Sequence, residues 1–192
     1  MKYFLLFCLS IGLLPSLSAQ NQTLVDVSAG VQAFHVPLKG FSYNNPQPVV
    51  MAGVHQSFNT RQTLGLTLRI GYARHKYQGD ALSLQAMFQY TPVVANHLEL
   101  GIGIGGGYRW WFHPSRSLQW TDSEWKNGRS YKGVIQVPLQ LSMGYRGIST
   151  VQGEFRPYIA YQLGVHFGYT PDLTPMPTST FLVGLKYAPK QH

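Results

Sequence analysis

The chain is short of cysteine, of charge and of long apolar runs. Charged residues make up only 11% of its 192 residues, against about 25% in ordinary soluble domains. So little charge does not fit a disordered tail, a coiled coil or an ordinary helical enzyme. Past the N-terminal stretch, no apolar run approaches the roughly 20 residues of a membrane-spanning helix, which excludes a helical membrane protein. Roughly 100–200 residues per domain leaves room for one domain and no separate catalytic module. What the chain does have is 20 glycines and 14% aromatic residues.

The one long apolar run is N-terminal. Lys2 supplies a positive start, Tyr3 to Leu14 form the hydrophobic stretch, and Pro15-Ser16-Leu17-Ser18-Ala19 offers small residues for cleavage. This reads as a secretory signal peptide over residues 1–19, with residues 20–192 as the exported domain. The single cysteine, Cys8, falls inside the signal, and Leu5-Leu6-Phe7 before it lacks the small residues of a lipoprotein signal. An exported domain without thiols has no disulfides, no thiolate metal site and no cysteine nucleophile.

From Thr23 onward the dominant pattern is alternation with a period of two, the mark of strands. Leu82, Leu84, Ala86, Phe88 and Tyr90 interleave with Ser83, Gln85, Met87 and Gln89. Leu64 to Ala73, Leu98 to Gly105, Ile135 to Tyr145, Ile159 to Gly168 and Phe181 to Tyr187 repeat the pattern, with weaker segments at Val25 to Phe34 and Val49 to Phe58. That gives eight strands. The connections take turns in length. Leu38–Pro48, Gln78–Asp80, His113–Arg129 and Thr170–Ser179 form one set; Asn59–Gln62, Val94–His97 and Gly147–Glu154 form the other, shorter on average. Short turns on one side and longer loops on the other are the pattern of a transmembrane β-barrel.

The polar faces carry Gly, Ser, Thr and Gln rather than the Lys, Glu and Asp of a water-facing sheet. Small polar residues suit the narrow interior of an eight-stranded barrel. Aromatics gather at segment ends, with Tyr72, Tyr77, Tyr108, Trp110, Trp111, Phe167 and Tyr169 at the outer side and Phe58, Tyr90, Tyr145 and Tyr187 at the inner. They are expected to form two interfacial girdles. The predicted fold is therefore all-β, an eight-stranded antiparallel up-and-down transmembrane barrel. The alternative is a soluble lipocalin-like barrel with an apolar lumen.

From Thr23 to Tyr187 the sequence resembles the small eight-stranded outer-membrane barrels of Gram-negative bacteria, of the OmpA transmembrane-domain and OmpX type. The resemblance lies in strand count, alternation and signal peptide. It implies an outer-membrane location and contact with lipid, including lipopolysaccharide.

Motifs with chemical content are few. Gly101-Ile102-Gly103-Ile104-Gly105-Gly106 has the spacing of a dinucleotide-binding loop, but an aromatic strand end follows instead of a helix opening toward a pyrophosphate. The glycines are expected to leave lumen space for side chains such as Arg69, Met87 or Gln136. His55-Gln56-Ser57-Phe58-Asn59 loosely resembles the His-x-Ser-Asn of outer-membrane lipid A deacylases. It has an extra residue before Asn59, and the next strand offers no carboxylate to orient His55. A lumen-lining polar pair is the expected role, and no catalytic, cofactor or metal residues are assigned. His75 and His166 are expected to face inward near the outer end, without ligand spacing.

Asp26, Arg69, Glu99, Arg109, Arg156 and Lys186 all fall on predicted inner faces. Unpaired charges there would be costly, so the six are expected to form a lumen charge network, either a salt-bridged plug or the lining of a narrow wet pore. Arg69 with Glu99 is one candidate pair. Pro138 sits mid-strand without a ladder donor, which predicts either a bulge or a lateral gap between strands. The formal net charge is +8. Lys39, Arg74, Lys76, Arg116, Lys126, Arg129 and Lys132 gather at the outer ends, suited to the phosphates of an anionic leaflet, and location argues against nucleic acid. Trp120 and Trp125, in the loop 113–129, are the candidate contacts for a protein partner or ligand; the alternative is a packed lid. The expected function is structural or surface-interacting and non-catalytic. A small-solute channel or lateral-access transporter and a lipid A modifying enzyme remain as alternatives.

Overall fold

The computed structural model describes residues 22–33, 46–74, 79–95, 97–113, 118–121, 123–168 and 174–190. The signal segment 1–19 lies outside them, as do Lys39, His75, Lys76, Tyr77, Arg116 and Tyr169. Among the described residues every regular element is a strand. Eight long strands make the body: β1 (Thr23–Ala33), β2 (Gln47–Ser57), β3 (Leu64–Ala73), β4 (Asp80–Tyr90), β5 (Leu98–Phe112), β6 (Tyr131–Tyr145), β7 (Gly153–Phe167) and β8 (Met176–Pro189). Each pairs antiparallel with its sequence neighbours, and β8 pairs back onto β1 from Val25↔Tyr187 to Ala33↔Ser179. The sheet is closed, so no edge strand is left among the eight.

Closure carries a stagger. Cross-strand partners followed around the barrel run Arg156, Lys186, Asp26, Gly53, Arg69, Gln85, Gly107, Gln136 and His166. The path starts and ends on β7, and His166 lies ten residues beyond Arg156. Strands in such a barrel must tilt against its axis. One row of inward side chains therefore winds from the inner mouth to the outer rim.

Alternation decides which side each residue takes. Phe88, Ile102, Ile104, Ile135, Leu141 and Val183 are all more than half exposed, while Gln85, Gln89, Thr67 and Gln162 are buried. The molecule is inverted relative to a soluble protein, with a belt of aliphatic and aromatic side chains outside and polar ones within. Such a surface is compatible with lipid and not with water. Phe58, Tyr72, Tyr90, Tyr108, Tyr145 and Phe167 point outward near strand ends, as the girdles require. Trp111 does not. It is 1% exposed and points into the lumen, because it shares parity with the inward Arg109.

Pro138 is buried on the lumen side. On its β7 side pairing is unbroken from Tyr158↔Gly144 to Phe167↔Ile135. On the β5 side it stops at Ile104↔Leu139 and resumes at Gly107↔Gln136 in the same register. Neither strand gains a residue, so the expected bulge is absent. The missing proline N–H interrupts the ladder locally on one side only.

A charge placed in the outer belt at mid-strand should be rejected. Ile104→Arg is expected to destabilise the folded barrel by roughly 2–4 kcal/mol, as for midplane arginines in such barrels. Urea unfolding in lipid vesicles measures it; an unchanged midpoint would mean that this surface does not face hydrocarbon.

Candidate functional site

The lumen holds most of the ionisable chemistry. Its centre is Arg69 on β3 and Asp26 on β1, both about 1% exposed. Arg69 donates from Nε and Nη2 to Asp26 Oδ2 at 2.8 and 2.6 Å, and from Nη1 to Gln140 Oε1 at 2.6 Å. Tyr158 donates its hydroxyl to Asp26 Oδ1 at 2.7 Å and accepts from Arg69 Nη2 at 3.1 Å. Every polar atom of the pair is thus engaged, as a buried pair requires. Glycines make the room. Gly53 lies between Asp26 and Arg69 in the cross-strand row, and a Cβ there would come within 2.9 Å of Arg69 Cγ. Tyr158 sits opposite Gly144 and Gly184, and a Cβ on Gly184 would meet its ring at 2.4 Å. Lys186 donates to Gln89 Oε1 at 3.2 Å and lies 5.6 Å from the centroid of the Tyr158 ring.

Four charges and Gln62 close the inner mouth. Arg156 bonds Glu154 at 2.7 Å and approaches Glu99 at 3.7 Å, while Arg146 lies 3.4 Å from Glu99 and 3.8 Å from Glu154. Both arginines also donate to Gln62 Oε1. Burial first, and then the neighbouring Arg156 charge, hold the Arg146 pKa below the usual arginine range, with Glu99 and Glu154 opposing. Beneath this cluster opens a vestibule of about 880 Å³ whose lining includes Arg61, Gln62, Pro92 and Glu154.

Above the Arg69 centre, Gln162 donates to Gln85 Oε1 at 3.0 Å and Gln136 donates to the same oxygen at 3.3 Å. Under the outer rim, Arg109 donates from Nη2 to Gln32 Oε1 at 2.9 Å and stacks 4.2 Å from the centroid of the Trp111 ring. His166 stands edge-on to Trp111 at 6.2 Å, with Nε2 2.9 Å from Thr178 Oγ1.

All six residues singled out in the sequence lie on the inner wall, each at most 8% exposed. They do not form one network. Arg69 takes Asp26 and not Glu99, which turns to Arg146 and Arg156. Arg109 stands apart from the others. Arg146, Glu154, Tyr158 and the four glutamines Gln85, Gln136, Gln140 and Gln162 complete the arrangement. Glutamine and glycine recur at the inward positions of the sequence, which shows where they face but not which of them meet, and Arg146 and Glu154 lie beyond the alternating segments, beside the turn between β6 and β7.

The His55 pair has no catalytic geometry. His55 Nδ1 lies 2.7 Å from Thr67 Oγ1, on the neighbouring strand. Ser57 Oγ is buried with no hydrogen-bond partner among the described residues. Nucleophile and base are therefore not coupled as acyl transfer needs.

Outside the barrel, Leu118–Thr121 and Glu124–Asn127 form a two-stranded hairpin in which Trp120 pairs across from Trp125. The Trp125 side chain is 65% exposed. The side chain of Trp120 lies outside the described residues.

No protein-family model matches the sequence, and no curated protein matches it. Solved structures do. The chain is similar to the attachment invasion locus protein Ail of Yersinia pestis in complex with the heparin analogue sucrose octasulfate, at a TM-score of 0.55 and 10% identity, over 88% of this chain and 99% of that one. It is also similar to Neisserial surface protein A, at 0.51 and 7%, over 88% and 97%. The fold is that of the small eight-stranded outer-membrane barrels.

The central pair makes a direct test. Arg69→Met leaves Asp26 buried without its cation and is expected to cost about 3–5 kcal/mol of unfolding free energy. Adding Asp26→Asn to it should recover a large part of that loss. Chemical denaturation in lipid would show the coupling, and additive losses would show that the pair is not one unit.

Proposed function

We propose that the protein is an outer-membrane barrel with a structural or surface-interaction role and no catalytic chemistry. The observation that carries this reading is the contrast between its two ends of polarity: a lumen crossed by side chains bonded to one another, and an outer hairpin that presents Trp125 to the surroundings. Arg69, Met87, Gln85 and Leu182 are all at most 2% exposed, which leaves little interior for a solute path. An exposed tryptophan on a projecting hairpin is the kind of residue that anchors a contact. Arg74, Lys126, Arg129 and Lys132 near the same end supply positive charge. The partner class with matching chemistry is an anionic polysaccharide or the phosphates of lipopolysaccharide. The sulfated sugar analogue held by Ail makes a sulfated oligosaccharide the first probe.

Channel and enzyme readings have weaker support. A channel would need the Asp26–Arg69–Tyr158 cluster to part, and a deacylase would need Ser57 Oγ, which has no hydrogen-bond partner among the described residues, to reach His55.

Reconstituted in planar bilayers, the protein is expected to give no steady conductance. Binding to an immobilised heparin-type oligosaccharide should weaken as salt rises, and Trp125→Ala should lower it several-fold. Stepwise channel currents, with no oligosaccharide binding at low salt, would replace the surface reading with the pore. Lipid A in overexpressing cells should keep its mass whether or not the protein carries Ser57→Ala.

A further inference from the structure

Arg109 is the anomaly of the lumen. It is 5% exposed, and among the described residues no carboxylate pairs with it or acts on its charge. The other lumen cations are arranged differently, since Arg69 and Arg156 bond carboxylates directly and Lys186 lies across from Asp26 in the β1–β8 pair. Arginine stays protonated in proteins, and an uncompensated buried charge is among the costliest features a fold can hold. Gln32 Oε1 and the face of Trp111 offset part of that cost. Neither carries a negative charge.

Two nitrogens in this layer lack partners among the described residues. Arg109 Nε is buried with no acceptor, and so is Nδ1 of His166. The His166 tautomer follows from Thr178. Its hydroxyl has one proton and two acceptors in reach, Gly164 O at 3.4 Å and His166 Nε2 at 2.9 Å. Donation along the shorter contact puts the imidazole proton on Nδ1. Arg109 Nε–H and His166 Nδ1–H are then two donors without an acceptor among the described residues, both beside Trp111. His166 is the next-to-last residue of β7 and Gln32 the next-to-last of β1, so the layer lies just under the outer mouth.

We infer that this layer binds a small monoatomic anion, chloride in the native setting, with Arg109 as its charge partner and His166 as a second donor. An anion supplies the missing negative charge and the missing acceptor together. A water would supply only the acceptor. The enclosure of both nitrogens favours a single atom over a polyatomic group such as a sulfate or a sugar carboxylate. The site is separate from the hairpin surface and does not depend on any partner binding there.

Bromide replaces chloride and scatters anomalously, so crystals of the full folded protein grown with bromide test the site. A bromide peak within hydrogen-bonding distance of Arg109 Nε, absent from Arg109→Gln crystals, is the expected result. In solution, exchanging gluconate for bromide should raise the thermal midpoint of the wild type. Arg109→Lys, which keeps the charge without the Nε–H and covers the case in which the glutamine variant does not fold, should show a smaller rise. Three results would overturn the inference. One is an ordered water at Arg109 that bromide does not displace. Another is selenate bound where bromide is not. The third is an Asp122 or Asp172 carboxylate within salt-bridge distance of Arg109, with Asp122→Asn or Asp172→Asn destabilising the protein as much as Arg109→Gln does.

Discussion

Because the eight strands close with a stagger of ten residues, the position of every inward side chain is fixed by one geometric condition. Strand number and stagger together set the tilt and the radius, and at eight strands the interior is just wide enough for side chains to fill. The winding row from Arg156 through Lys186, Asp26, Gly53, Arg69, Gln85, Gly107 and Gln136 to His166 is the direct product. Charged residues far apart in sequence become neighbours along it, and glycines within it determine which of them touch. With a side chain at Gly53, Arg69 could not lie across β2 to reach Asp26. The central ion pair depends on an absent Cβ as much as on the two charges.

The electrostatics of the lumen follow from this packing. Among the described residues, the lumen and its inner mouth hold five cations, Arg69, Arg109, Arg146, Arg156 and Lys186, against three carboxylates, Asp26, Glu99 and Glu154. The carboxylates all belong to the inner and middle parts. Glutamines fill the next level, where their paired donor and acceptor groups satisfy one another without net charge. Among the described residues the outer rim is left with Arg109, which meets a glutamine oxygen and an indole face. A neutral network can be completed by rotating amides. A charge imbalance has to be met by another ion.

The sequence made the architecture legible because period-two alternation over lengths of ten to fifteen residues is a local property, and lipid on one side with polar groups on the other reinforces it strand by strand. Facing direction was legible for the same reason, down to the six lumen charges. Pairing was not. Arg69 finds Asp26 at a separation of 43 residues, and that choice depends on the stagger and on Gly53, neither of which a local pattern reveals. Trp111 is a different kind of failure. Its parity with Arg109 places it inside, and alternation along the strand outweighs the tendency of aromatics at strand ends to sit in the girdle. Phe112, next along the strand, is the aromatic that points outward.

Pro138 shows how far a local rule extends before the closed sheet overrides it. A proline in a strand removes one ladder donor, and in an open sheet that loss favours an edge or a bulge. Here β6 is held on both sides, so neither outcome is available without shifting the register of a neighbour, which would turn inward residues outward. The break is confined to the two rungs that the register would place at Gly105–Pro138 and Gly106–Val137. Seven paired positions lie on the inner side of them and six on the outer, all in one register. Opening this seam laterally would mean separating those flanking rungs in hydrocarbon, where each unsatisfied backbone group costs several kcal/mol. Glycine lies opposite proline at this break, and the paired rungs on either side hold β5 and β6 in one register.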